Sequence, residues 1–194
     1  MATPHHARRS DTRSRIQDVA LKLFAEQGYE KTSLREIAER LDVTKAALYY
    51  HFKTKEDLLL SISEDLSAPV DELIAWAQGQ PRTLATKQEV LRRYSDALWG
   101  ATDLFRFFQE NQATVRDLAI GESFRERITA LSELLKEPDS SMTAQVRSLT
   151  ALFAMHAGMH ATQNVEGDPE EKRAAVLEVA LDLLAQADAD LVTN

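Results

Sequence analysis

Apolar side chains along this 194-residue chain recur at threes and fours and almost nowhere in strict alternation. A period near 3.6 gathers them on one side of a helix, so the pattern predicts an all-α protein. The first helix is expected over about 12–27, with Ile16, Val19, Ala20, Leu23 and Phe24 on one face and Gly28 as its stop. Ser33-Leu-Arg-Glu36 reads as a capping box, in which the hydroxyl accepts from the amide of Glu36 and the carboxylate reaches back. It opens a short helix to Leu41 with Leu34, Ile37 and Ala38 inward. After the brief Leu41–Thr44 turn, Thr44 caps a third helix running to about His51, and two short helices so closely joined form a helix-turn-helix candidate.

A second cap, Thr54-Lys-Glu-Asp57, starts a long fourth helix to about Ala77, with Leu59, Ile62, Leu66, Leu73 and Ala77 spaced for burial. Pro69 lies inside it and lacks a donor for residue 65, so a kink or break is expected there. Further helices are expected over about 83–98, 103–118, 122–136 and 142–165. The last starts at Asp168-Pro169 with Glu171 completing a capping box, and ends near Ala187.

The third helix is odd for one that must hide an apolar side. On a wheel of 100° per residue Thr44, Leu48 and Phe52 share one side, while Lys45, Ala46, Tyr49 and Tyr50 lie on the other. A small residue among phenols and an ammonium suits close approach to a DNA groove, where such groups reach phosphates and base edges. His51, Lys53 and Lys55 sit at the exit, beside the free amides of the next helix, which also favour phosphate. Taken singly, each has a bland explanation: tyrosines pack, a histidine caps, lysines are solvated.

Charge tips that balance. The net −8 is unevenly spread, with +4 over residues 1–55 and −12 over residues 56–194. A basic head on an acidic body points to a polyanion meeting only the head. With no cysteine, disulfides, thiolate catalysis and cysteine-ligated metals are excluded. The longest apolar runs are too short to span a bilayer and the N-terminus has no apolar signal core, so a cytoplasmic protein without membrane contact is expected.

The segment from Ile16 through Leu59, including LFAEQGYEKTSLREIAERLDVTKAALYYHFKTKEDLL, resembles the DNA-binding region of the TetR family of bacterial transcription regulators. Gly28, Thr32-Ser33, Ile37-Ala38, Val43, Leu48-Tyr49, His51-Phe52 and Lys55 stand in that family's order and spacing. The resemblance implies a helix-turn-helix domain over 12–55 behind a flexible basic arm at 1–11, followed by a larger effector-binding and dimerisation bundle over 56–194. It implies that Tyr49, Tyr50, His51 and Lys55 contact phosphates and that Thr32 or Ser33 clamps the backbone. Lys45 and Arg35 are then the candidates for base edges, with Thr44 and Ala46 at the start of the same helix and Arg8, Arg9, Arg13 and Arg15 beside the DNA. Many members have glycine or another small residue at positions 42 and 46, where this chain has Asp42 and Ala46.

Function is expected to be that of a dimeric, ligand-responsive regulator, a repressor released from a palindromic operator by a small, largely apolar effector. An activator or a helical adaptor that binds no DNA are the alternatives. The last two helices carry Ala151, Ala154, Ala157, Gly158 and Ala161, and Ala174, Val176, Leu177, Ala180, Leu181 and Leu184, which suit a homodimer interface. Aromatic residues Trp76, Tyr94, Trp99, Phe105, Phe107, Phe108, Phe124 and Phe153 crowd the body as in a pocket lining. Trp99, Phe108, Gln112, Met155 and Met159 are the effector-contact candidates. His156 and His160, four apart, lack a third ligand by spacing, so no metal and no cofactor is expected. Without a Gly-rich phosphate loop, Glu-x-x-His repeats or a nucleophile motif, nothing points to an enzyme.

Overall fold

The computed structural model describes the backbone of residues 4–102, 104, 107, 119–162 and 164–192, and side chains between 12 and 190 within these apart from 119 and 159. The described residues form helices α1 (Pro4–Gln27), α2 (Leu34–Arg40), α3 (Lys45–His51), α4 (Lys55–Gln78), α5 (Leu84–Gly100), α6 (Ala119–Leu135), α7 (Met142–Ala161) and α8 (Pro169–Val192), with no strand among them. Two compact units emerge, one of Met1–Ala68 with Ala101–Ser123 and one of Pro69–Gly100 with Phe124–Asn194. The boundary after 55 expected for the first domain thus falls inside the first unit, because α4 runs on through its apolar positions.

In the first unit the signals at helix ends do most of what was expected. Ser33 accepts from the Glu36 amide at 3.2 Å and Thr44 from the Ala47 amide at 3.2 Å. Only half of the first capping box closes, since the Glu36 carboxylate accepts from Gln27 at 2.8 Å instead of turning back. The box at α4 closes fully: Thr54 accepts from the Asp57 amide at 2.9 Å and its own amide donates to Asp57 at 3.0 Å. Gly28 ends α1 at φ 92°, a conformation open to glycine. α1 begins earlier than the pattern indicated, drawing residues 4–11 of the expected arm into helix. Pro4 at the first helical position suits that start. Leu48, Leu58, Leu59, Ile37, Phe24 and Phe107 are fully buried in one core.

α4 continues through Pro69 without a break, and the chain passes from one unit to the other at that residue. Most of the helix expected over 103–118 lies outside the described residues. α7 ends at Ala161, shorter than expected, because Thr162 turns back with both amide and hydroxyl donating to the Gly158 carbonyl, at 3.0 and 2.7 Å. α8 runs beyond Ala187 to Val192.

In the second unit α7 and α8 pack along each other. At Gly158 they approach closely: a Cβ there would meet Val176 Cγ1 at 2.5 Å. Arg127 clasps Asp71 with two bonds of 2.7 and 2.8 Å, and Arg173 holds Ser95 at 3.1 Å and also Asp96. Leu91, Leu131, Leu135, Leu152 and Leu184 fill the interior between these helices. Gly158→Leu is expected to force α7 off α8 and lower stability by about 1–3 kcal/mol, the usual range for overpacking, as read from urea denaturation. Unchanged stability would mean that the helices separate freely.

Candidate nucleic-acid interface

α3 has seven residues, too few to be stable alone, so its underside must hold it. Leu48 and Phe52 do so at 0% and 2% exposure. The opposite face then presents Lys45, Ala46 and Tyr50, with Tyr50 at 61% exposure. Tyr49 is less outward than the wheel implied: it is half-buried against the core, with the Lys45 ammonium 5.3 Å from its ring centre. Tyr50 stands edge-on to His51 at 5.5 Å. Lys53 donates to the Tyr49 carbonyl at 2.8 Å and so caps α3.

Lys55 is engaged elsewhere than at open surface. Its ammonium donates to the Tyr29 carbonyl at 2.6 Å and lies 4.1 Å over that ring. Tyr29 in turn packs on Phe24 and Phe107, and burial, then the charges of Glu56 and Glu30, push its phenol up to about 12. Arg35 pairs with Glu39 one turn on at 2.7 Å, both well exposed, a contact that water and salt leave weak and that frees the guanidinium readily. Thr32 and Ser33 separate. Thr32 is 2% exposed and spends its hydroxyl on the Gly28 carbonyl at 2.9 Å, so its side chain is no clamp for a phosphate; Ser33 stays exposed at the mouth of α2. Thr44 is exposed at the mouth of α3.

Two features escaped the pattern of the sequence. Gln17, buried on α1, donates to Ser61 at 2.8 Å and Asp65 at 2.5 Å on α4, while Arg13 donates to Ser61 at 2.6 Å and lies 4.6 Å over the Phe52 ring. A glutamine on an apolar stripe was the available signal. Asp42 adopts φ 54° in the turn between α2 and α3, the left-handed region where glycine sits most easily.

Residues 16–62 match the family model described as bacterial regulatory proteins, tetR family. Over these residues the chain resembles the TetR family. It is 49% identical over 63 residues to the HTH-type transcriptional regulator AcrR of Shigella flexneri, covering 32% of this chain and 29% of that protein. With the HTH-type transcriptional repressor KstR2 of Rhodococcus jostii (strain RHA1) it shares 30% identity over 133 residues, 66% of this chain and 60% of that one. It thus spans less than two thirds of the length of either relative. In fold it is similar to Mycobacterium smegmatis AmtR, with a TM-score of 0.70 at 23% identity over 89% of this chain and 85% of that one.

In the second unit the effector candidates scatter. Met155 is buried, whereas Trp99 is 39% exposed with the Arg173 guanidinium 5.6 Å from its ring. Phe108 and Gln112, and the side chain of Met159, lie outside the described residues. Two other aromatics leave the expected pocket: Phe107 belongs to the first unit's core, and Phe153 is 53% exposed on α7. His156 and His160 do not act together. His160 is exposed, while His156 accepts at Nε2 from the Tyr94 hydroxyl at 2.6 Å and its other ring nitrogen donates to the Leu152 carbonyl, which fixes a neutral tautomer. Phe124 packs edge-on to the same imidazole at 6.0 Å. No group of three or more metal-ligating side chains occurs among the described residues.

Burial lowers the His156 pKa from 6.5 to about 4. The unfolded chain therefore takes up a proton as pH falls through 6.5 while the folded chain does not until about 4, so folding loses stability across that window. The urea midpoint of the wild type should fall over this range, and His156→Gln should flatten that part of the profile; parallel profiles would refute the assignment. At the turn, Asp42→Ala is expected to lower stability by about 1 kcal/mol, with Asp42→Gly near neutral, measured the same way.

Proposed function

We propose that this chain is a DNA-binding transcriptional regulator that binds a palindromic operator as a homodimer and releases it when a small, largely apolar effector binds the second unit. The observation that carries the reading is the exposed Lys45, Ala46 and Tyr50 face of a capped, core-anchored α3 within the only basic part of the chain. Lys45 and Arg35 are placed to meet base edges, and Tyr49, Tyr50, His51 and Ser33 to meet phosphates. Ala46 admits the backbone and Thr44 caps the helix. Lys55 gives one of its three N–H groups to the Tyr29 carbonyl, so it meets a phosphate with the other two or by giving up that bond. DNA as partner puts the protein in the cytoplasm and gives it no catalytic step. No helix among the described residues is long and apolar enough to cross a membrane.

Operators read by paired helix-turn-helix units need two recognition helices about 34–36 Å apart, or a multiple, and hence a dimer. Exposed apolar side chains support one: Val146 and Phe153, two turns apart on α7, and Val179 on α8 are exposed at 51%, 53% and 55%. Single exposed apolar residues are ordinary, but large ones on both of two packed helices are what a two-fold helix interface buries. α4 leads from the first unit into the second through Pro69, so an effector need only favour a conformation in which the recognition helices are wrongly spaced. A coupling of about 1–3 kcal/mol lowers operator affinity roughly 5- to 150-fold.

Gel-shift with the promoter region beside the protein's own gene tests the reading. Lys45→Ala should weaken operator binding by about 1–3 kcal/mol and relax base preference, whereas Tyr50→Ala should weaken all duplexes alike. Equal behaviour across sequences would refute the division into reading and positioning. Phe153→Glu should give monomers by sedimentation velocity and lose tight binding to the palindrome while α-helical content is retained.

A further inference from the structure

Lys45 differs from the basic side chains around it in what holds it. Lys53 gives an N–H to the Tyr49 carbonyl at 2.8 Å, Lys55 gives one to the Tyr29 carbonyl at 2.6 Å, and Arg35 is paired with the Glu39 carboxylate at 2.7 Å. Lys45 bonds no oxygen among the described residues, and its ammonium lies 5.3 Å from the centre of the Tyr49 ring. An aromatic ring attracts a cation through the negative charge of its face, which restrains the ammonium without tying it to an oxygen or neutralising it.

The ring is itself fixed. Tyr49 is half-buried against the first unit's core, its neighbour Leu48 is buried, and Lys53 pins its carbonyl. Side chains on a helix lean toward its N-terminus, so a ring at position 49 reaches back over position 45, one turn earlier. Thr44 caps that turn, and Lys45 projects from it on the exposed face that it shares with Ala46 and Tyr50. A lysine loose in water gives up rotamer freedom when it docks, whereas one already restrained gives up less and keeps a narrower direction.

Chemistry then selects the base. An ammonium only donates. In the major groove guanine presents two neighbouring acceptors, N7 and O6, whereas adenine sets a donor beside its one acceptor, thymine a methyl group beside its one, and cytosine presents a donor. Resting on the DNA-binding reading above, we propose that the Tyr49 ring is a positioning group that aims Lys45 at a guanine, and that each operator half-site carries a guanine where Lys45 reads. The Tyr49 hydroxyl is left to meet a phosphate, so one side chain serves both affinity and base preference.

The test is selection of binding sites from a library of random duplexes by the full chain and three variants. The wild type is expected to enrich a palindrome with a guanine in each half-site at which Lys45→Ala shows no preference. Tyr49→Phe, which keeps the ring, should retain that preference. Tyr49→Leu should reduce it about 2- to 5-fold, the factor that an exposed cation–ring contact supplies, with base preferences elsewhere in the site unchanged. Full preference at that position in Tyr49→Leu, an equal loss in Tyr49→Phe, or a base other than guanine there overturns the proposal. So does a loss in Tyr49→Leu spread over every position, which would make the ring a support of α3 only. Enrichment of no duplex by the wild type sinks the DNA-binding reading itself, and the proposal with it.

Discussion

The burial of Leu48 and Phe52 is the constraint on which the candidate interface depends. α3 is seven residues long, and the intrinsic stability of so short a helix in water is negligible. Burying a leucine and a phenylalanine contributes about 1.5–3 kcal/mol each, enough to order two turns that are capped at Thr44. Once those two side chains point into the core, a 100° step per residue leaves Lys45, Ala46 and Tyr50 no direction but outward. The chemistry of the exposed face is thus a consequence of the packing beneath it.

The same core explains why the basic residues near α3 are not equivalent. Lys45 is exposed and Arg35 has only a solvated partner, but Lys55 bonds the Tyr29 carbonyl and covers a ring that itself packs on Phe24 and Phe107. Thr32, adjacent to exposed Ser33, is withdrawn to close the end of α1. Arg13 and Gln17 meet Ser61 on α4, so the helix that leaves the first unit is fastened to α1 before it reaches Pro69. In the second unit Asp71, just beyond that proline, is clasped by Arg127. Each half of α4 is therefore tied within its own unit.

Helix-helix contact in the second unit sorts residues that look alike in the sequence. Gly158 admits Val176, Ala151 and Ala180 are enclosed, and Ala157 and Ala161 stay on the surface beside Phe153. Small residues on both helices had pointed to close packing, and part of that packing is spent within the chain. Val146, Phe153 and Val179 remain exposed.

Sequence by itself determined the capped helix starts, because caps are local: Ser33, Thr44, Thr54 and Asp168 each bond amides within three residues, whereas the start of α1 and the ends of α7 and α8 departed from the pattern. It also determined which side of α3 is buried, since that follows from spacing alone. The resemblance to the TetR family was legible in the first third for the same reason. Tertiary structure decided which polar groups remain available. Lys55 and Tyr29 are 26 residues apart, Gln17 and Asp65 are 48 apart, and Tyr94 and His156 are 62 apart. No local pattern encodes such pairs, because they form only when separate helices are brought side by side by the apolar faces that the sequence does display.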